Sequence, residues 1–450
     1  MKTIHKYFKF LVITVLLITA NACAIEEVVD PNNPSLAGVL SNATKAELQT
    51  LVTGLEARNR DYFQNATEMY GSFAREVWPF FSSDPRFFGD WLGNDTYPDF
   101  FGAAGTYLTP YQAVKQANVL IQSVDNTSSV TTQEAAGYKG FAKTIKAFQL
   151  TWPLMQQYQN GIRVDVADPL NPGPVLNYNA SLAAIRALLD EAQTDLLAAG
   201  SAFDFSLTMG FGSPAEMIQV NRAIAARVAL YAEDWQGALD ALNDSFLELA
   251  PTTEAQMNKG PRLAFGNDPD VSNPLFYPLD AATSTILIVH PSLVEDLIPG
   301  DARGNKFYQR DEPVEADDFP FTGDYQDARW TSNTQSIPFI RNEELILIYA
   351  EANARLANTT AALDAINTVR NFWNVSDYTG GTSEDQLIEE ILFQRRYSLW
   401  AEGGHRWIDL RRTGKLDAAH VDLRDRTPGD NGLIEQIDRP TSETNWDANN

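Results

Sequence analysis

The chain has 450 residues, 44% of them hydrophobic and 21% charged, and carries a formal net charge of −25 with a single cysteine. The length allows a large buried core, arranged as one large domain or two to three smaller ones, and the composition is that of a globular protein. So acidic a surface repels phosphate backbones and anionic lipid faces. That argues against nucleic acid and against lying flat on a membrane, and one cysteine makes no internal disulfide.

Residues 1–22 read as a secretory signal. Lys2, Lys6 and Lys9 form its positive region, and Phe10 to Thr19 is an apolar run too short to span a bilayer. Its removal takes the mature chain near −28. Ala20, Asn21 and Ala22 lead to Cys23, which reads either as an incidental residue at an ordinary cleavage site or as an acylated one. The second reading resembles the lipobox of bacterial lipoproteins. It predicts an anchor in which each buried methylene contributes about 0.8 kcal/mol.

Residues 23–41 read as a tether, where Pro31 and Pro34 discourage a helix. Thr44 and Glu47 form a capping box ahead of the stripe Leu48, Leu51, Val52, Leu55 and Tyr62. The helical pattern resumes through Met69, Phe73 and Val77 and ends before Pro79.

Residues 78–110 lose helical periodicity. Trp78, Trp91 and Tyr97 stand there among other aromatics, interleaved with Asp84, Arg86, Asn94 and Asp95. Aromatics stack on the apolar face of a sugar ring and short polar side chains take its hydroxyls, so this mixture suits a sugar site. Burial of the loop against the helices is the structural alternative for each ring.

Helical patterns follow in succession: Val114 to Val124, then a Thr131/Glu134 box with the stripe Tyr138, Phe141, Ile145, Phe148, Trp152 and Met155. Asp165 to Asn177 reads as a loop, and Leu182 to Leu196 as the next helix. Ser213, Pro214 and Glu216 mark another start, followed by a stripe from Met217 to Tyr231 and a further one from Leu239 to Leu249. Ala238-Leu239-Asp240-Ala241-Leu242-Asn243 is repeated as Ala362-Leu363-Asp364-Ala365-Ile366-Asn367, each copy after a Tyr-Ala-Glu read as a helix end. This predicts tetratricopeptide-like helix pairs.

Residues 251–337 break the helical pattern at a length that points to function. Ser284 to Val289 suggests a strand and Pro291 to Pro299 a short helix. Tyr325 and Trp330 belong to a second set of aromatics, expected to pack beside residues 78–110 and complete the ligand face.

Residues 341–415 read as three helices and a charged tail. Arg395 and Glu402 fall on the apolar stripe of the third, which starts at a Ser383/Gln386 box. A buried charge needs a partner, so both are expected in ion pairs, with Glu344, Glu351, Arg370 and Arg406 as candidate partners. Residues 416–450 are polar and read as a loosely packed tail.

This stretch also carries a resemblance. The run Pro338 to Leu345, Tyr349-Ala350-Glu351-Ala352, Ala365 to Arg370, Arg395 to Leu399 and Glu402 to Gly414 are together similar to the C-terminal signature of the SusD/RagB family. Gln394 and Ser398 stand where that family usually has glutamates. The resemblance implies a surface lipoprotein on the outer membrane, lipid-anchored and facing the cell exterior. Its implied partner is a TonB-dependent SusC-like transporter, to which it delivers a bound nutrient. Glu26, Glu27 and Asp30 after Cys23 resemble the acidic export tag of such lipoproteins.

Chemistry leaves few marks. The four histidines include no His-Glu-x-x-His, and Met209 to Gly212 lacks the lysine of a phosphate loop. No catalytic residue, metal or cofactor is expected, and His405 beside Asp409 reads as structural. The fold class expected is mostly α: a tetratricopeptide-like helical scaffold over 42–415, with irregular insertions at about 78–110 and 251–337 forming a ligand-binding face. The function expected is capture of an oligosaccharide or polysaccharide. Its alternative is a helical-repeat glycoside hydrolase with two carboxylates about 5–9.5 Å apart.

Overall fold

The computed structural model describes residues 36–80, 86–93, 103–281, 286–316, 319–426 and 432–449. Helices dominate it. In chain order they are α1 Leu36–Asn42, α2 Lys45–Arg58, α3 Phe63–Phe73, α4 Arg86–Gly89, α5 Ala104–Asn126, α6 Thr132–Gln157, α7 Tyr178–Ala198, α8 Pro214–Tyr231 and α9 Trp235–Asn243. After them come α10 Glu254–Met257, α11 Pro291–Glu295, α12 Asn342–Arg355, α13 Thr359–Phe372, α14 Glu384–Ser398, α15 His405–Arg412 and α16 Thr441–Asn449. Capping boxes start α2 at Thr44, α6 at Thr131, α8 at Ser213 and α14 at Ser383, because each has a Glu or Gln three residues on to answer the cap backbone.

Neighbouring helices pack as stacked pairs: α5 on α6, α6 on α7, α7 on α8, α8 on α9 and α12 on α13. The α6 stripe from Tyr138 to Met155 lies buried in the main core, and Ala362, Ala365, Ile366 and Val369 of α13 face a second cluster with α12 and α14. The repeated hexapeptide is structural. Glu233 and Ala357 both take a left-handed turn, at φ 56° and 60°, and each is followed by a cap residue and a helix carrying the motif. The two Tyr-Ala-Glu runs are not equivalent. The first closes α8, whereas Tyr349 lies inside α12, which runs on to Arg355.

Four expectations need correction. The tether segment contains α1, which begins after Pro34 and so is not interrupted by it. The aperiodic segment ends sooner than expected, since α5 starts at Ala104 and carries Pro110 within it. The 251–337 insertion holds a hairpin with no alternating apolar face to betray it. Strand β6 Phe307–Ala316 pairs antiparallel with β7 Phe319–Asp327. With β1 Val77–Trp78 and β5 Ile288–Val289 they form one sheet in the order β1-β5-β7-β6, while β2 Ile162–Arg163 pairs separately with β3 Val175–Leu176. Finally, the C-terminal segment is tightly packed. Val421, Ile434 and Ile437 are buried, Trp407 Nε1 donates to the Ile434 carbonyl at 2.6 Å, and Arg75 pairs with Asp425 out of solvent. Three apolar residues in a polar composition gave too little periodicity to read.

Arg395 and Glu402 are in ion pairs, but with other partners than expected. Arg395 Nε donates to Asp409 at 2.6 Å with both side chains nearly fully buried, and Asp409 also accepts from Arg412 at 2.9 Å. Arg412 holds Glu351 through two bonds of 2.6 Å, Arg227 pairs with Glu344, and Arg370 with Glu390. Arg341 takes Glu402 at 2.9 and 3.0 Å. Arg303, paired with buried Asp301, donates to Ser398 Oγ at 3.0 Å and Gln394 Oε1 at 2.7 Å, so neutral acceptors stand where carboxylates were the alternative. His405 is buried 3.9 Å from Glu344, and burial lowers it to about 4. It is a neutral core residue.

Candidate functional site

A cleft of about 400 Å³ opens where the 251–337 insertion meets the helical frame. Its wall is set by short elements. Strands β4 Arg262–Leu263 and β8 Ile337–Pro338 pair antiparallel and place Arg262 opposite Pro338. The turn Ala302–Lys306, capped by Asp301, carries Lys306. The end of β7 delivers Arg329 and Trp330, the start of α12 delivers Arg341, and the end of α13 delivers Trp373.

The floor is an ordered relay. Arg341 pairs with both Glu343 and Glu402, and Trp373 Nε1 donates to Glu343 at 2.6 Å. Burial alone would raise the Glu343 carboxyl, but the Arg341 and Lys306 charges prevail and hold it down to about 2. Arg329 is clamped by Asp327 at 2.7 Å and lies between two indoles, 5.1 Å from the Trp330 ring centre and 4.7 Å from that of Trp400. This cation stacking fixes the half-buried Trp330 at the cleft wall.

Two cations are held differently. Lys306 Nζ donates to the carbonyls of Tyr397 and Ser398 at 2.6 and 2.7 Å. Arg262 makes long bonds of 3.4 Å to the carbonyls of Ser336 and Asn258. Neither has a carboxylate within ion-pair distance among the described residues. Burial lowers both, with Arg341 adding repulsion, and takes Lys306 to about 7.

Of the residues singled out from sequence, Trp330 lines this cleft. Tyr325 sits on β7 opposite Gln309, half-buried against the main core. Arg86 is exposed on α4. Trp78 and Trp91 are each 1% exposed, and this is a correction, because neither ring offers a face to solvent. Trp78 stacks on Phe321 at 5.5 Å in the core of the small sheet, and Trp91 meets Phe87 edge-on. Their aromatic character serves packing, the alternative that sequence left open for each ring. Cys23, Asp84, Asn94, Asp95 and Tyr97 lie outside the described residues.

Arg262, Lys306, Arg341 and Trp373 were missed as site residues. Arg341 lay inside the run Pro338 to Leu345 and was given no role of its own. Arg262 and Lys306 carry no motif, and their signal is the missing ion-pair contact, which requires coordinates. The carboxylates that line the cleft are Glu254, exposed on α10, and Glu402, committed to Arg341. Among the described residues no group of three His, Cys, Asp or Glu could hold a metal ion.

Comparison with known proteins finds a family match over the C-terminal part of the chain and a shared fold over most of it. The model of the SusD family matches residues 318–447. The SusD-like protein P38 of Formosa agariphila is 34% identical over 88 residues, which span 18% of this chain and 17% of that protein. Among solved structures, a SusD superfamily protein from Bacteroides vulgatus superposes with a TM-score of 0.68 at 17% identity, covering 89% of this chain and 96% of that one. Surface glycan-binding protein A from Bacteroides thetaiotaomicron, solved with laminarihexaose, gives 0.68 at 15% identity, covering 90% and 98%.

Proposed function

We propose that the chain belongs to the SusD/RagB superfamily, that it is a nutrient-binding protein of a transport system, and that the cleft beside Trp330 takes a glycan. It works by binding and performs no covalent chemistry. The observation that carries the reading is the cleft itself: a half-buried indole fixed by Arg329, a second indole at Trp373, and polar groups of Arg262, Lys306 and Gln335 around them. Indole faces stack on sugar rings while the donors take hydroxyls, and flat rings lose little entropy on binding. The likeness in fold to a surface glycan-binding protein in complex with laminarihexaose supports the ligand class.

In this reading Cys23 carries the lipid, the folded part stands outside the outer membrane, and the cargo passes to a TonB-dependent SusC-like transporter. A chain that remains strongly acidic after loss of its signal is kept off anionic lipid, so the anchor alone holds it there. No described helix is long and apolar enough to cross a membrane.

The test is binding of residues 24–450 to a panel of oligosaccharides and polysaccharides, with the same mixtures assayed for cleavage products. Binding without cleavage, weakened tenfold or more by Trp330→Ala, is the expected result. Cleavage products, or binding unaffected by Trp330→Ala, would overturn it.

A further inference from the structure

We propose that the ligand of this cleft carries an anionic group, a carboxylate or a sulfate ester, seated against Arg262 and Lys306. The inference rests on the cleft being the glycan site and goes further by naming a charge on the glycan.

The chain holds 59 acids against 34 lysines and arginines, so carboxylates are the abundant partner for any cation it buries. Within this cleft three guanidinium groups follow that rule. Arg303 has Asp301, Arg329 has Asp327, and Arg341 has Glu343 and Glu402. Arg262 and Lys306 break it. Both are withdrawn from water and both feel the repulsion of Arg341, yet neither forms an ion pair among the described residues, and their hydrogen bonds go to backbone carbonyls. Two carbonyl bonds use two of the three ammonium donors of Lys306, and bonds of 3.4 Å leave the Arg262 fork weakly engaged. A part-buried cation without a carboxylate in contact is costly, and an incoming anion reduces that cost at both residues together. Guanidinium and ammonium groups suit this task. The planar fork takes two oxygens of a carboxylate or sulfate, and the ammonium supplies a point charge beside it. The strongly negative surface repels free anions at long range. Recognition is therefore confined to contact distance, where the indoles of Trp330 and Trp373 add the sugar-ring contact that a bare ion lacks.

Protonation offers an independent readout. Lys306 is lowered to about 7 by burial, with Arg341 and Arg329 working in the same direction and Glu402 and Glu343 against it. An anion stabilises the charged amine, so ligand affinity falls as pH rises through 7 and 8, and this dependence disappears in Lys306→Met.

The experiment compares three oligosaccharides of matched length by calorimetry with residues 24–450: one neutral, one bearing uronate carboxylates and one bearing sulfate esters. An anionic glycan binding at least tenfold tighter than the neutral one is expected. That preference should be lost in Arg262→Gln and Lys306→Met and kept in Arg262→Lys. The stronger arm decides between carboxylate and sulfate. Equal affinity for neutral and anionic glycans, still dependent on Trp330, would overturn the anion while leaving the glycan site standing. Absence of binding to any glycan by a folded protein would overturn both. Inorganic sulfate serves as a further probe. Binding as tight as that of the sulfated glycan would place the ion, not the sugar, as the ligand and overturn the proposal. Thermal melts of each variant establish folding, and Arg262→Gln, whose side chain makes only long bonds, keeps the test open if Lys306→Met unfolds.

Discussion

Two regions of this molecule use the same side chains to opposite ends. In the helical frame, Arg395, Arg412 and Arg227 lie among the apolar stripes of α8, α12, α14 and α15, and each faces a buried carboxylate: Asp409, Glu351 and Glu344. In the cleft, Arg262 and Lys306 have no carboxylate within ion-pair distance among the described residues and bond to backbone carbonyls. The difference sets carboxylate-paired charges of the frame against carbonyl-bonded ones at the cavity wall, an arrangement that Arg406 and Arg411 also adopt in the frame. A paired charge fixes how helices meet, because any shift of register would strand it. An unpaired charge at a cavity wall is a cost that folding does not require, and it becomes favourable when a ligand completes it.

The comparison breaks first at Asp409. This carboxylate serves Arg395 and Arg412 together, and the two terminal nitrogens of Arg395 already lack a hydrogen-bond partner. Asp409→Ala strands a guanidinium inside the core and is expected to cost about 3–5 kcal/mol. Urea unfolding of the variant measures it. A loss under about 1 kcal/mol would mean that the frame charges are no more structural than those of the cleft.

The second way to sharpen the contrast is acid. Burial would raise the carboxyls of Asp409 and Glu343, but Arg395 and Arg412 at the first and Arg341 at the second outweigh it and hold both down to about 2. Depressed carboxyls contribute stability that is fully present above their unfolded values near 4 and is lost as pH falls towards 2. His405, lowered by burial to about 4, acts in the same direction from a higher pH. The unfolded chain takes up its proton first, so stability declines between pH 6.5 and 4. Urea midpoints should fall gently from pH 6.5 and steeply below about 4. Midpoints that stay level from pH 6.5 to 3 would contradict the pairing described for the frame.

How much of this was open to a reader of the sequence follows the same division. The frame was legible, because helical periodicity and capping boxes at Thr44, Thr131, Ser213 and Ser383 announce helices locally. Two charges on one apolar stripe announced buried pairs. Their partners were not legible, since the choice of Asp409 over Glu344 for Arg395 depends on where α15 docks. The 251–337 insertion was legible as a long aperiodic segment with aromatics, and one of the candidates in it, Trp330, lines the cleft. Trp78 and Trp91 were left between two roles for a physical reason: an indole that stacks on sugar and one that stacks on Phe321 look the same in one dimension. Lys306 and Arg262 could not be found at all, because what marks them is an absence in their surroundings.

The smallest expected effect is the most telling. Arg262→Met removes a part-buried charge and two long bonds to carbonyls, and it replaces them with an apolar chain that fits beside Ile337 and Pro338 on the cleft wall. No carboxylate is stranded by the change. Replacing an uncompensated buried charge with an apolar side chain is commonly neutral or stabilising, so the unfolding free energy should stay within about 1 kcal/mol of the parent, on either side of it. Anionic-glycan affinity, by contrast, should fall at least tenfold. The same class of substitution would then have opposite consequences in the two regions, with stability lost in the frame and binding lost in the cleft. If Arg262→Met instead destabilised the fold as Asp409→Ala is expected to, Arg262 would belong to the frame, and the cleft would lose one of the two charges that set it apart.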